Sequence, residues 1–158
     1  MEMAVRIKKI ISGGQTGADR AALDFAIQHD IPHGGWVPRG RRAEDGRIPA
    51  IYRLNEMSTK SYPKRTERNV LRSDGTLIIS RGELSGGSAL TRRLAQAHGK
   101  PFLHIDLNSF PEIAAQTVAS WIRDHAIQVL NVAGSRASED PEIYQATLGL
   151  LDAALQLE

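Results

Sequence analysis

Cysteine is absent from the 158 residues. That removes disulfides, thiolate metal sites and a cysteine nucleophile together, and it leaves the redox compartment open. No apolar run approaches the roughly 18 residues of a membrane span, and the opening MEMAVRIKKIIS lacks a signal-peptide core. A cytoplasmic protein with no membrane partner is therefore expected. The five histidines (His29, His33, His98, His104, His125) are scattered without metal-ligand spacing, so no direct protein metal site is expected either. Aromatic residues make up only 5% of the chain.

What is present is an ordinary globular composition with an uneven charge. The net charge is +2, yet residues 39–73 hold ten of the twenty basic side chains and only four acids, Glu44, Asp45, Glu56 and Glu67. That segment is +6 and the remainder of the chain is −4. A local excess of this kind suits a small anionic ligand. Nucleic acid is not expected, because the segment has two tyrosines for stacking and no recognisable binding module.

Five short apolar runs read as strands: RIKKIIS at 6–12, HGGWVP at 33–38, TLIIS at 76–80, FLHID at 102–106 and VLNVA at 129–133. Runs of this type fit strands buried on both faces of a parallel sheet. Helical patterns lie between and after them, at 19–29, 66–73, 88–98, 111–125 and 141–156. Gly99 closes the third, and Pro111 and Pro141 open the last two. Strict alternation of strand and helix predicts a three-layer α/β fold, a doubly wound and mainly parallel sheet of five or more strands in one domain over 1–158. About 25 residues, GRRAEDGRIPAIYRLNEMSTKSYPK, break the rhythm. Ile48, Ile51, Tyr52, Leu54 and Met57 predict that this segment packs onto the body as an ordered flap. The last helix offers an apolar face of Ile143, Ala146, Thr147, Leu150, Leu151 and Ala154, from which a homodimer or tetramer is expected.

Ligands of open parallel sheets bind at the carboxyl ends of the strands. Four unusual stretches fall there: SGGQTGAD, PRGRRAEDG, SRGELSGGS and AGSRASEDP. In the first, Gly13, Gly14 and Gly17 allow close backbone approach, Thr16 adds a hydroxyl, and Asp19 either meets the ligand or caps its helix. The third repeats the device with Gly86, Gly87, Ser88 and Thr91. Arg39, Arg41 and Arg42 in the second, and Gly134 and Arg136 in the fourth, complete a candidate anion site. The spacing is neither GxGxxG nor the phosphotransferase pattern GxxxxGK[ST]. Candidate acids or bases are few: Glu83 beside the glycine pair, with Asp19 and Asp45 behind it. Ser12 lacks a nucleophile-elbow setting. A binding protein is expected before an enzyme.

The segments GGQTGADRAALDFA, IPHGGWVPRGRRAEDGRIP, YPKRTERNVLRSDGTLIIS, GGSALT, GKP and NVAGSRAS resemble the molybdenum carrier family and span nearly the whole chain. This is a Rossmann-like group related to molybdenum-cofactor carriers and, more distantly, to cytokinin-activating phosphoribohydrolases once labelled lysine decarboxylases. The resemblance implies a Rossmann-like fold, self-association, and a ligand that is molybdenum cofactor (molybdopterin) or a nucleotide. The hydrolases carry PGGxGTxxE. Here the stretch reads ELSGGSALT, with Ser85 for the proline, Ala89 for the later glycine and no matching glutamate. A carrier thus ranks first, and a phosphoribohydrolase or a nucleotide-signal sensor stands as the alternative.

Overall fold

The computed structural model describes residues 6–156. Its elements, in chain order, are β1 (Lys9–Ile11), α1 (Ala18–Gln28), β2 (His33–Gly34), β3 (Trp36–Val37), β4 (Arg42–Ala43), β5 (Gly46–Arg47) and β6 (Asn55–Glu56). There follow α2 (Tyr62–Arg72), β7 (Gly75–Ser80), α3 (Gly86–Ala97), β8 (Phe102–Asp106), α4 (Ala114–Asp124), β9 (Val129–Gly134) and α5 (Ile143–Leu155). A turn of 3-10 helix at Pro111–Ile113 leads into α4. The expected helix at 66–73 begins earlier, because the Ser61 hydroxyl caps the Lys64 amide and Pro63 fits the first turn.

Five strands form one fully parallel sheet in the order β2-β1-β9-β7-β8. Helices α1, α5 and α4 pack together on one face, and α2 and α3 on the other. The three-layer Rossmann-like arrangement is thus present. Counted from β9 as the first strand, the spatial order is 3-2-1-4-5, that of a doubly wound sheet. The chain enters that sheet at its second strand and supplies the first strand last. Arg6–Lys8, which lead into β1, and Leu155–Gln156, which end α5, line one surface hollow, so the two ends of the permuted order lie side by side.

The expected strand at 33–38 is split at Gly35. β2 stays in the main sheet, while β3 leaves it to pair in parallel with β6 of the flap. The flap is ordered and has its own small core: Ile48, Tyr52 and Val37 are buried against Leu23 of α1, and Leu54 packs beside them. Ile51 is the exception, at 64% exposed. Asp24 of α1 accepts hydrogen bonds from Tyr52 of the flap at 2.6 Å and from Tyr144 of α5, which ties the flap to the body.

The α5 face proposed for self-association is used inside the chain. Ile143, Thr147, Leu150, Leu151 and Ala154 are buried against α1, α4 and the sheet. The apolar stripe that suggested a partner is the one that builds the core. Among the described residues, no helix is long and apolar enough to cross a membrane.

Candidate functional site

Beyond the carboxyl ends of β1, β9 and β7, where the sheet's winding reverses, lies a cleft. Gly13, Gln15 and Asp19 line it from the β1–α1 segment, Arg65, Thr66 and Asn69 from α2, and Gly87, Ser88 and Thr91 from the start of α3. Asn131 and Gly134 of β9, with Arg136 and Glu139 of the following loop, complete it. About 60 Å³ of its interior admits the centres of water molecules. That is room for a few waters or one tetrahedral oxyanion.

Of the residues singled out from sequence, Gly13, Asp19, Gly87, Ser88, Thr91, Gly134 and Arg136 meet here. The others are placed elsewhere. The Gly14 carbonyl accepts from the Arg20 guanidinium at 3.0 Å, and a Cβ on Gly14 would meet Ile48 and Leu54 of the flap. The Thr16 hydroxyl joins Glu44 and takes the Ala137 amide at 3.1 Å. Glu44 in turn accepts from the Ser138 hydroxyl at 2.6 Å, so Thr16 belongs to a clasp between the first loop, the flap and the last loop. Gly17 sits where α1 and the β9–α5 loop touch. Buried Arg41 turns inward and donates to the carbonyls of Ile48, Pro49 and Tyr52. It closes the flap upon itself. Arg39 and Arg42 are exposed on that flap, and Glu83 and Gly86 are exposed, the one before and the other at the start of α3. None of these lines the cleft.

Sequence reasoning missed Gln15, Thr66, Asn69, Asn131 and Glu139 of the lining and, above all, Arg65. It is 9% exposed, yet it belongs to the basic segment, where it looks like any other surface cation. Position explains its burial. On α2 it lies one turn before Asn69, whose side-chain amide pairs with both backbone groups of Trp36 at 2.8 and 3.0 Å, so this helix face is pinned inward. Nη1 of Arg65 donates to the Gly13 carbonyl at 2.6 Å. Its Nε has no hydrogen-bond partner among the described residues. A buried donor left unpaired costs about 1–3 kcal/mol.

Electrostatics in the cleft are dominated by burial. Asp19 is 8% exposed. Burial raises its pKa to about 6, against the opposing pull of Arg65, the Gln15 amide, Arg20 and Arg136. Burial also depresses the Arg65 pKa, against the pull of Asp19. For both members, loss of water outweighs their mutual attraction. The start of α3 adds backbone donors, since the Ser85 side chain does not cap it. Among the described residues, no three His, Asp or Glu side chains gather.

A family model settles where the chain belongs. The model described as the circularly permutated YpsA SLOG family (cpYpsA) matches residues 10–155. The chain is a member of the cpYpsA family. The permuted strand order agrees with that description. A crystal structure at 1.45 Å resolution, of a protein from Syntrophus aciditrophicus SB named "Putative molybdenum carrier protein", is 65% identical to it. The match covers 94% of this chain and 95% of that one, with a TM-score of 0.93. No curated protein matches at a significant level.

Proposed function

We propose that this cpYpsA protein binds and carries molybdenum in an anionic form, as an oxyanion seated in the cleft between β1, β9 and β7 or within a phosphorylated pterin cofactor whose phosphate sits there. The observation that carries the reading is Arg65: a buried guanidinium whose Nη2 meets no acceptor among the described residues and, unlike its Nε, is not sealed off, lining a cleft whose other wall is the uncapped start of α3. An oxyanion or phosphate oxygen supplies the acceptors that both lack. The name of the Syntrophus aciditrophicus relative supports molybdenum as the cargo. The arrangement offers contacts to oxygen atoms, so the metal would arrive already coordinated. Nucleotide hydrolysis gains less support, because Glu83 is exposed and outside the cleft.

Native mass spectrometry and elemental analysis of freshly purified protein test the cargo. Molybdenum near one equivalent, with a matching mass increment, is expected. A nucleotide mass without molybdenum favours a sensor, and base release from nucleoside monophosphates favours a hydrolase. Arg65→Ala is expected to weaken binding of molybdate by about 10- to 100-fold, which corresponds to about 1.5–3 kcal/mol for a charge-assisted contact. Arg123→Ala, on the exposed side of α4, is expected to leave it unchanged. Equal affinity of the Arg65 variant and the parent, measured by calorimetry, would remove Arg65 from the site.

A further inference from the structure

The cations and amides of the cleft share it with a buried acid. The Asp19 Oδ2 accepts the Gln15 amide at 3.3 Å. Oδ1 takes no hydrogen bond from the described residues and is not sealed off, which leaves it free for whatever enters. The charged groups that face this carboxylate are Arg20 from its own helix, Arg65 from α2 and Arg136 from the β9–α5 loop. Glu139 of the same loop adds a second acid to the lining. Arg20 is held by Asp45 and the Gly14 carbonyl, and Arg136 pairs with Glu139 at 3.5 Å. Only Arg65 is both buried and short of acceptors.

An oxyanion drawn in by Arg65 and the start of α3 therefore arrives beside a carboxylate shielded from water. Two unit negative charges about 4 Å apart repel by about 4 kcal/mol at an effective dielectric constant near 20. A single proton between them converts that repulsion into a charge-assisted O–H···O hydrogen bond. We propose that the cleft takes up a tetrahedral oxyanion together with one proton, shared between Asp19 and an oxyanion oxygen, so that Asp19 favours oxyanions that bring a proton over those that bring none. This rests on the reading of the cleft as an anion site. Asp19 is suited to the task, because burial already places its own proton near pH 6. An oxyanion without a proton can still enter at mildly acidic pH, where Asp19 supplies one.

The test is equilibrium binding of sulfate, phosphate and molybdate by calorimetry between about pH 5.5 and 8. Sulfate and molybdate carry no proton near neutrality, and phosphate carries one or two throughout. The affinity for sulfate should fall about tenfold per pH unit above about pH 6, the slope for uptake of one proton. Molybdate should follow sulfate, and phosphate should change by less than tenfold in all and bind more tightly than sulfate at pH 8. In buffers of different ionisation heat, sulfate binding at about pH 7.5 should take up close to one proton. Asp19→Asn keeps an acceptor for the Gln15 amide and presents an amide donor to the oxyanion. Its sulfate affinity should be independent of pH, with the preference for phosphate lost. A flat sulfate profile in the parent overturns the inference and leaves the anion site standing, and so does an unchanged slope in Asp19→Asn. Failure of all three anions to bind at millimolar concentration overturns both. The parent's profile decides the matter even where the variant folds poorly.

Discussion

Gly17→Ala is expected to lower the stability of the folded chain by about 3 kcal/mol or more, a drop of roughly 6–12 °C in melting temperature for a chain of this size. Gly17 precedes α1 with φ 81° and ψ −129°, a conformation that side chains rarely adopt and that costs about 1–3 kcal/mol when forced. Space compounds the angle. A Cβ there would overlap the Ser135 carbonyl oxygen and lie 2.9 Å from the Arg136 Cα and 3.0 Å from the Ala137 nitrogen. These neighbours are backbone and cannot rotate away. They are also fixed, since the Ala18 amide donates to the Ser135 carbonyl at 3.1 Å. Relief requires the β1–α1 and β9–α5 segments to part, and these carry Asp19 and Arg136, so oxyanion affinity should fall with stability. Urea denaturation gives the measurement. A change below about 1 kcal/mol would show that the junction yields easily.

The same junction shows what the sequence could and could not convey. In SGGQTGAD, the glycines signal that something comes close to the backbone. At Gly17 the visitor is the chain's own last loop, and at Gly14 it is the flap; Gly13 lines the cleft. A local pattern announces proximity without naming the neighbour, because the neighbour is remote in sequence, in the flap for Gly14 and more than a hundred residues on for Gly17. Arg41 and Arg65 make the point for charge. Both look like free forks in a basic segment. Arg41, with φ 54°, curls back to bind three flap carbonyls, while Arg65 is carried inward by the helix face it shares with Asn69. The start of α2 carries a local signal in the serine and proline of KSYP, which the expectation of a helix at 66–73 passed over. Fold class was legible because alternation of buried strands and amphipathic helices is a local property. Strand order is set by pairing at a distance, and the late return of β9 to the centre of the sheet leaves no periodicity to find. The α5 stripe was visible but ambiguous, since an apolar face looks the same whether a second copy or the chain's own helices cover it.

Asp19→Asn is expected to make the protein more stable at neutral pH, by up to about 3 kcal/mol, while it removes the proton link to binding. The folded-state pKa is raised from 3.8 to about 6, so the sign runs against the usual carboxylate. Between about pH 4 and 6 the folded chain holds a proton that the unfolded chain has released. Stability of the parent therefore falls as pH rises through that window, and the loss persists above it. At about 1.4 kcal/mol per pKa unit, a rise of roughly two units gives the figure of about 3 kcal/mol as an upper value. Asparagine cannot ionise, so its curve lacks this fall. The two proteins should converge below about pH 4 and stand furthest apart above about pH 7. Urea titrations at several pH values resolve the difference. A variant less stable than the parent at about pH 7.5 would make Asp19 a structural cap held by the Gln15 amide, and the proton-sharing role would lose its basis. The expected order follows from the Asp19–Arg65 pair, in which burial opposes the charge on each partner more than the other supports it. Such a pair weakens the empty fold at the pH where both are ionised. An oxyanion with its proton offsets the deficit on both sides at once, because it gives Arg65 an acceptor and Asp19 a donor.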